Sequence, residues 1–234
     1  MAINQVVVMG VVTSTPKKIV TQETGEERVV FTIANHPYKD VTEFLEIISF
    51  EQKVVDFVMN HIHEKDLVTV TGYLHVSTKK DDAGVYHQYA SIVANNVVYT
   101  RIASRQVNSA VIEGNLVDSP RVYSTSEGKL MLNCRIANNR SKNLVEYIDF
   151  TLFAEFAEKM EPYLLKGTAV CLTGRIQTTS LTYEKDGHKV HRVGIWPDAI
   201  SLGRKKEDGE GQQSSDMGSF MNIPEGIEDE LPFH

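Results

Sequence analysis

Cysteine and long apolar runs are scarce in this chain of 234 residues. Its two cysteines, Cys134 and Cys171, do not form a Cys-x-x-Cys motif. We therefore expect two buried thiols in a reducing compartment, with a disulfide or metal pair as the alternative. No apolar run approaches the roughly 18 residues of a membrane span, and the first residues lack the basic region of a signal peptide. We therefore expect that the chain is neither inserted into a membrane nor exported.

Motifs that carry catalytic or metal-binding chemistry are also missing. The chain has no phosphate-cradling glycine loop, no nucleophile elbow and no carboxylate pair that recurs as a general acid and base. His61 and His63 are two residues apart at the end of a predicted helix, so they point apart. His188 and His191 have no cysteine or acid partner at ligand spacing. We therefore expect no enzyme activity, no metal and no other cofactor.

The most informative feature that is present is an internal duplication. The segment ANHPYKDVTEFLEIISF (34–50) recurs 103 positions later as ANNRSKNLVEYIDFTLF (137–153). VTVTGYLHV (68–76) likewise corresponds to VCLTGRIQT (170–178). Two copies of a unit of roughly 95 residues predict two small tandem domains rather than a solenoid, whose repeats are shorter. We place them at 1–100 and 108–202, with a linker at 101–107 and a tail at 203–234.

Both copies show the same order of predicted elements. The first strand ends at a turn that contains serine and proline, and the second strand begins after a glycine turn at Gly25 or Gly128. A third strand follows. The next stretch has helical period, since Val54, Val55, Val58, Met59 and Ile62 share one helical face. Two more strands complete the copy. Five strands with one helix between the third and fourth predict an all-β chain of two OB-folds, which are five-stranded Greek-key barrels that bind oligonucleotides.

Charge is distributed unevenly along the chain. The formal net charge is −7, but residues 203–234 contribute −5 of it, so the remainder is nearly neutral at −2. This tail is rich in glycine, serine, glutamine and acids, and it cannot bury enough apolar surface to offset the entropy of ordering. We therefore predict a disordered acidic tail. Its last residues, EDELPFH, place apolar side chains among acids.

Aromatic residues recur at equivalent positions of the two third strands. Alternation puts Phe44 and Phe50 on one face of the first copy, and Tyr147 and Phe153 on the same face of the second. Exposed rings can stack on the bases of a single strand, which is worth roughly 1–3 kcal/mol per base. We predict this role for all four, although any of them could instead be a core aromatic.

Further aromatic and basic residues gather in the loops and at the strand ends of both copies. An OB-fold contacts its ligand through these loops, and cations there would meet phosphates. A single surface lysine is more often only solubilising, but the recurrence beside aromatics favours a binding role for the group. The candidates are Tyr38, Lys39, Tyr73, Lys79, Lys80, Tyr86, Arg140, Lys142, Arg175 and Tyr183.

The second copy resembles the bacterial-type single-stranded DNA-binding proteins (SSB). The stretches NSAVIEGNLVDSPRVYSTSEGK, EYIDFTLFAEFAE and YLLKGTAVCLTGRIQT follow the pattern of that family, which the first copy follows more loosely. The resemblance implies stacking aromatics in the third strands, at Phe44, Phe50, Tyr147 and Phe153. It departs from the family at Glu46 and Asp149, which lie on the aromatic face where phosphates would run.

The resemblance also implies partners. It implies a sequence-independent binder of single-stranded DNA, with RNA as a possible ligand, that acts in replication, recombination and repair. The family's acidic C-terminal tip docks replication and repair enzymes, and here that tip is Glu228, Asp229, Glu230, Leu231, Pro232 and Phe233. His234 follows the phenylalanine at which the family ends.

Assembly and location follow from the same resemblance. Most members of the family form tetramers of single barrels, so a tandem chain is expected to be a homodimer. We expect it in the cytoplasm, associated with the nucleoid. The alternative is a protein-interaction adaptor built on OB-folds with little affinity for DNA, which the two acids on the aromatic face favour.

Overall fold

The computed structural model describes residues 1–21, 25–38, 41–80, 86–101, 106–125, 127–142, 144–182 and 189–203. Lys39, Tyr183 and the predicted docking tip lie outside these residues, as does the tail for which disorder is predicted. The side chains of Lys79, Lys80 and Tyr86 lie outside them too.

Strands dominate the described part of the chain. They are β1 (Asn4–Val12), β2 (Lys17–Val20), β3 (Glu27–Tyr38), β4 (Val41–Ser49), β5 (Leu67–Lys80), β6 (Tyr86–Tyr99), β7 (Asn108–Leu116), β8 (Arg121–Ser124), β9 (Leu130–Ser141), β10 (Leu144–Phe153), β11 (Ala169–Thr182) and β12 (Lys189–Leu202). Helix α1 (Gln52–His61) follows β4, and helix α2 (Ala154–Met160) follows β10 and continues into a 3₁₀ turn, Glu161–Tyr163.

The strands close into two barrels of the same topology. In the first barrel β1 pairs with β3, β3 with β4, β4 with β6, β6 with β5 and β5 again with β1; only the β4–β6 pairing is parallel. The second barrel repeats this circuit through β7, β9, β10, β12 and β11. Two tandem OB-folds, each with a helix after its third barrel strand, are therefore confirmed.

The first strand of each barrel is broken into two parts that the sequence pattern did not predict separately. The first part ends at Val12, and Pro16, which has no N–H to donate to a ladder, immediately precedes β2. After the break, β2 pairs along β3 with Lys17 opposite Val30. Pro120 precedes β8 in the same way, and β8 pairs along β9. After each break the chain therefore pairs with a different part of the same neighbouring strand.

Helix α1 packs on its barrel with a narrower face than the sequence predicted. In α1, Val54, Val55 and Val58 are buried and Ile62 follows them into the core, but Met59 is exposed. Met59 lies next to Val58 at the edge of the apolar stripe, so the helix turns it towards solvent. In the second barrel the α-helix ends at Met160, two residues before Pro162.

Glycines within strands mark places where two backbones approach closely. A Cβ at Gly72 would lie 2.1 Å from the carbonyl oxygen of Val93, and a Cβ at Gly174 would lie 2.2 Å from that of Trp196. Both glycines lie at a register shift between the fourth and fifth strands of their barrel. These close approaches therefore depend on the absence of a side chain.

The two barrels are joined edge to edge. Strands β1 and β7 pair antiparallel, with Val6 opposite Ala110 and Val8 opposite Asn108, so that all twelve strands belong to one continuous sheet. Asn138 of β9 donates its amide across this junction to the carbonyl oxygen of Ile3, and within its own barrel to that of Glu113 in β7. The junction therefore sets the orientation of the two barrel faces relative to each other.

Candidate nucleic-acid interface

The third barrel strands, β4 and β10, place the predicted aromatics on the surface. Phe44, Tyr147 and Phe50 expose 61%, 51% and 41% of their area, whereas Leu45 and Ile148 between them are buried. Alternation along a strand predicts this division, because successive side chains point to opposite faces. Rings exposed to this degree contribute little to the core and remain available for stacking.

Phe153 differs from the other three aromatics because it already has a ring partner. Its ring stacks on that of Trp196 in β12, with centroids 4.6 Å apart and planes at 27°. Sequence reasoning did not single out Trp196, although it is the only tryptophan in the chain. The stack holds a broad aromatic surface at one edge of the second barrel face.

The two acids on the aromatic faces have different surroundings. In the second barrel Arg135 of β9 forms a two-pronged ion pair with Asp149, at 2.5 and 2.9 Å between nitrogen and oxygen. These hydrogen bonds raise the pKa of Arg135 above its ordinary value. The equivalent Glu46 is exposed and lies opposite Thr32. The negative charge is therefore neutralised on the second barrel, whereas a threonine replaces the arginine on the first.

A groove of about 600 Å³ opens on the same face of the second barrel. Its walls include Arg121, Tyr123, Asn133, Arg135, Phe153 and Trp196. Arg121, Tyr123 and Arg135 were also missed by sequence reasoning, because their contribution depends on β8 and β9 lying side by side. In the first barrel, Ile19, Val30 and Val93 take the places of Tyr123, Asn133 and Trp196.

Two arginine–aromatic contacts cross from one barrel to the other. The guanidinium of Arg175 in β11 lies 4.7 Å from the ring centre of Tyr38 and 4.8 Å from that of Trp196, and it donates to the Tyr38 hydroxyl at 2.7 Å. On the opposite side, Arg140 of β9 lies 4.0 Å over the ring of Tyr73 in β5. In both contacts the first barrel supplies the tyrosine and the second supplies the arginine.

Two buried carboxylates beside the exposed aromatics also cross the junction. Glu43 precedes Phe44 and accepts hydrogen bonds from the backbone N–H and the hydroxyl of Thr178 in β11. Glu146 precedes Tyr147 and accepts from the backbone N–H of Val76 at 3.0 Å, with the Nδ1 atom of His75 at 2.8 Å. Each carboxylate thereby ties the third strand of one barrel to the fourth strand of the other.

The environment of Glu146 favours its charged form. Burial by itself would raise the pKa of this carboxyl, but the hydrogen bonds from His75 and Val76 and the positive charges of His75 and Arg140 lower the pKa overall. The Nε atom of Arg140 lies 3.8 Å from Glu146. Arg140 therefore contacts both the buried carboxylate of Glu146 and the ring of Tyr73.

The structure brings together some of the residues that were predicted to contact DNA. Tyr38, Arg175 and Phe153 lie along one continuous surface with Trp196, whereas Tyr73 and Arg140 lie on the other side of the junction. Lys142 is exposed at the turn after β9. The other predicted loop residues fall outside the described side chains, so their role stays a prediction.

Cysteine and histidine form no additional site in the described part of the chain. Cys134 is buried and Cys171 is half-buried, and both are free thiols. Burial raises the pKa of Cys134 to about 12, so this thiol stays protonated and unreactive. Among the described residues, no group of three or more potential ligands could hold a metal ion. The helices in this part of the chain are too short or too polar to cross a membrane.

Comparison with known proteins gives a consistent result. The model of the single-strand binding protein family matches residues 3–100 and again 107–202. A single-stranded DNA-binding protein from Borreliella burgdorferi is 30% identical over 123 residues, which cover 50% of this chain and 83% of that protein. Single-stranded DNA-binding protein 2 from Staphylococcus aureus strain COL is 27% identical over 140 residues, covering 54% and 99%.

A solved structure has the same fold over almost the whole chain. The wild-type single-stranded DNA binding protein from Thermus aquaticus superposes with a TM-score of 0.68 at 16% identity, covering 91% of this chain and 97% of that one. A deletion and point mutant of the Thermus protein gives a TM-score of 0.72, also at 16% identity, over 90% and 98%. The paired arrangement of two barrels is therefore shared, although few residues are.

Proposed function

Because the chain belongs to the single-strand binding protein family, we propose that it binds single-stranded DNA without sequence preference. It coats and protects exposed strands during replication, recombination and repair. The observation that carries this proposal is the row of exposed aromatic rings at equivalent positions of both barrels. Rings on the surface contribute little to core packing, whereas they can stack on the face of any base.

In both barrels, aromatic residues contact the bases and basic residues contact the phosphates. The rings of Phe44, Phe50, Tyr147 and Phe153 stack on bases, and Trp196 widens the platform of Phe153. Cations along the strands and loops meet the phosphates. They comprise Lys39, Lys79, Lys80, Lys142 and Arg175, together with Arg121 and Arg135 of the groove, and Tyr38, Tyr86 and Tyr183 complete the aromatic set. Arg140 and Tyr73 contact each other at the junction and contribute least to binding.

The proposal is tested by titrating a labelled oligo(dT) with the full chain and following fluorescence anisotropy. We expect tight binding that an excess of duplex does not displace. Since bound phosphates release counterions, the affinity should fall by about tenfold or more between about 50 and 200 mM salt.

A matched titration with oligo(U) decides between DNA and RNA. It is needed because stacking and phosphate contacts do not distinguish the sugar. No binding at low salt would contradict the proposal and favour the protein-interaction adaptor, for which the exposed Glu46 is the supporting observation.

The acidic tip recruits partner enzymes in this proposal. Leu231, Pro232 and Phe233 enter an apolar pocket of the partner, while Glu228, Asp229 and Glu230 meet basic residues around it. Members of the family are DNA-binding proteins without catalytic activity, and we extend that to this chain. It would then act on DNA through the enzymes that it recruits.

Deleting residues 228–234 should separate the two activities. The affinity for oligo(dT) should stay equal or rise slightly, because three acids are removed. Capture of replication and repair enzymes by the immobilised protein should be abolished. The matched control replaces the three acids by Asn or Gln and keeps the apolar residues. If the deletion instead lowers DNA affinity, the tip belongs to the DNA interface and the assigned role is wrong.

The remaining organisation is proposed on the same basis. The chain divides into barrels at 1–100 and 108–202, a linker at 101–107 and a tail at 203–234. It forms a homodimer, so that four barrels act together as in the tetramers of one-barrel relatives. We place it in the cytoplasm, associated with the nucleoid.

A further inference from the structure

Aromatic and arginine side chains form an uninterrupted stack on one side of the barrel junction. The ring of Phe153 stacks on Trp196, the guanidinium of Arg175 lies between Trp196 and Tyr38, and Tyr38 belongs to the first barrel. We name these four residues the Trp196 seam. The ring centres of Phe153 and Trp196 are 4.6 Å apart, and the guanidinium carbon of Arg175 lies 4.8 Å from the ring centre of Trp196 and 4.7 Å from that of Tyr38. The seam therefore offers stacking surface from the face of one barrel to the edge of the other.

The corresponding residues on the opposite side do not form such a stack. Phe50, Val93 and Tyr73 occupy the positions equivalent to Phe153, Trp196 and Arg175, whereas Arg140, which contacts Tyr73, lies one residue before Ser141, the equivalent of Tyr38. We name Phe50, Val93, Tyr73 and Arg140 the Val93 seam. Val93 takes the place of Trp196 in the strand pairing, and it is a buried aliphatic residue. Phe50 therefore has no ring beside it at that position. The Val93 seam lacks an aromatic link in the middle, where the Trp196 seam has its largest ring.

The two seams also differ in available positive charge. Arg140 lies 3.8 Å from Glu146, a carboxylate that is 1% exposed, so its charge is committed to an acid inside the junction. Its Nε atom is buried and makes no hydrogen bond with any described residue. Among the described residues the acid paired with Arg175 is Asp198, which is 4.0 Å away and 69% exposed, where water weakens the pair. The two arginines are themselves similarly exposed, at 20% for Arg175 and 30% for Arg140, so the weaker pairing of Arg175 leaves the Trp196 seam with more positive charge to attract phosphates.

We propose that a single strand passes from the second barrel to the first over the Trp196 seam and not over the Val93 seam. This inference rests on the proposed binding of single-stranded DNA and adds its route. Beyond the seam the strand reaches Phe44 of the first barrel. Glu43, the neighbour of Phe44, is held by Thr178, which lies three residues after Arg175 in β11. The route thus joins the groove of the second barrel to the exposed ring of the first.

The route is tested in the full chain with two matched variants, Tyr38→Ala and Tyr73→Ala. Each removes a first-barrel tyrosine that contacts an arginine of the second barrel, so any loosening of the junction should be similar. Affinities are measured by anisotropy for an oligo(dT) of about 10 nucleotides, within the roughly 4–16 that one OB-fold covers, and for one of about 35, which spans two barrels. Thermal melts verify that both variants are folded.

Tyr38→Ala should lower the affinity for the long oligonucleotide by about tenfold, the effect of losing one stacking platform, and the affinity for the short one by about threefold at most. Tyr73→Ala should lower the long-oligonucleotide affinity by about threefold at most. Equal losses in the two variants, or a larger loss for Tyr73→Ala, would overturn the route.

The unmodified chain provides an independent measurement, because Trp196 is its only tryptophan. Saturation with the long oligonucleotide should quench the tryptophan emission, since a base comes to lie on or beside this ring. Unchanged emission at saturation would also overturn the route. If neither oligonucleotide binds at low salt, the proposed function itself fails. If both bind and the two variants behave alike, only the route fails.

Discussion

Replacing Tyr147 and Phe153 together by alanine should lower the affinity for oligo(dT) by about a hundredfold, since each ring contributes roughly 1–3 kcal/mol per stacked base. Tyr147 is half exposed and Phe153 packs on Trp196 at the surface, so neither ring is part of the barrel core. The core side of the same strand, with Ile148, Phe150 and Leu152, is left intact. Anisotropy titrations measure the loss, and a thermal melt close to that of the unmodified chain would show that the barrel persists.

The matched control is the double replacement of Phe44 and Phe50 in the first barrel. We expect a smaller loss there, because Glu46 lies on that face without an arginine opposite it and no tryptophan extends the platform. The proposed role of the second barrel would be wrong if the first-barrel pair cost more binding, or if the second-barrel pair cost none while the protein stays folded.

Replacing Glu146 by alanine should lower the free energy of unfolding by about 3 kcal/mol, within the range for removing one partner of a buried charge pair. The carboxylate is 1% exposed, and its loss leaves the Val76 N–H, the His75 ring and Arg140 without their acid. Denaturant or thermal unfolding measures the change. Glu43→Ala is the matched control, because Glu43 binds Thr178 through hydrogen bonds alone in the described structure. A smaller loss is expected for it.

This stabilisation should depend on pH in one direction. Because the pKa of Glu146 is lowered in the folded protein, its contribution is complete above the ordinary glutamate value of 4.5 and is lost as pH falls through the folded-state pKa. The difference in stability between the unmodified chain and Glu146→Ala should therefore shrink below about pH 4. A difference that stays constant down to pH 3 would show that folding does not lower the pKa of Glu146.

Local patterns in the sequence predicted much of the fold. Alternation in the third strands placed Leu45, Ile47, Ile148 and Phe150 in the cores and the four aromatics outside, because a strand has only two faces. The helix was predicted at the right place, but its face was drawn too wide at Met59, since period alone does not say where an apolar stripe ends. The break at Pro16 was taken for a simple turn, because only pairing with β3 reveals that the strand resumes.

The candidate site was less accessible to the same reasoning. The search for aromatics concentrated on the third strands and loops, so it passed over Trp196, which lies in the last strand and reaches Phe153 only when the barrel closes. Arg140 and Arg175 were grouped as loop cations. The structure places both beside tyrosines of the other barrel, a relation between residues more than 60 positions apart in the sequence.

The sequence by itself determined the duplication, the two barrels and the outward direction of the aromatic residues, because each follows from spacing along one segment of chain, and its resemblance to known members indicated the family. Only the tertiary structure decided which acids are neutralised, which arginine keeps its charge available and where the two faces adjoin. Those properties depend on distances between strands that are remote in sequence, and the energy of a charge or a stacked ring is set by its neighbours in space. Two copies of nearly the same pattern could therefore acquire different surfaces through single residues, such as Trp196 where the first barrel has Val93.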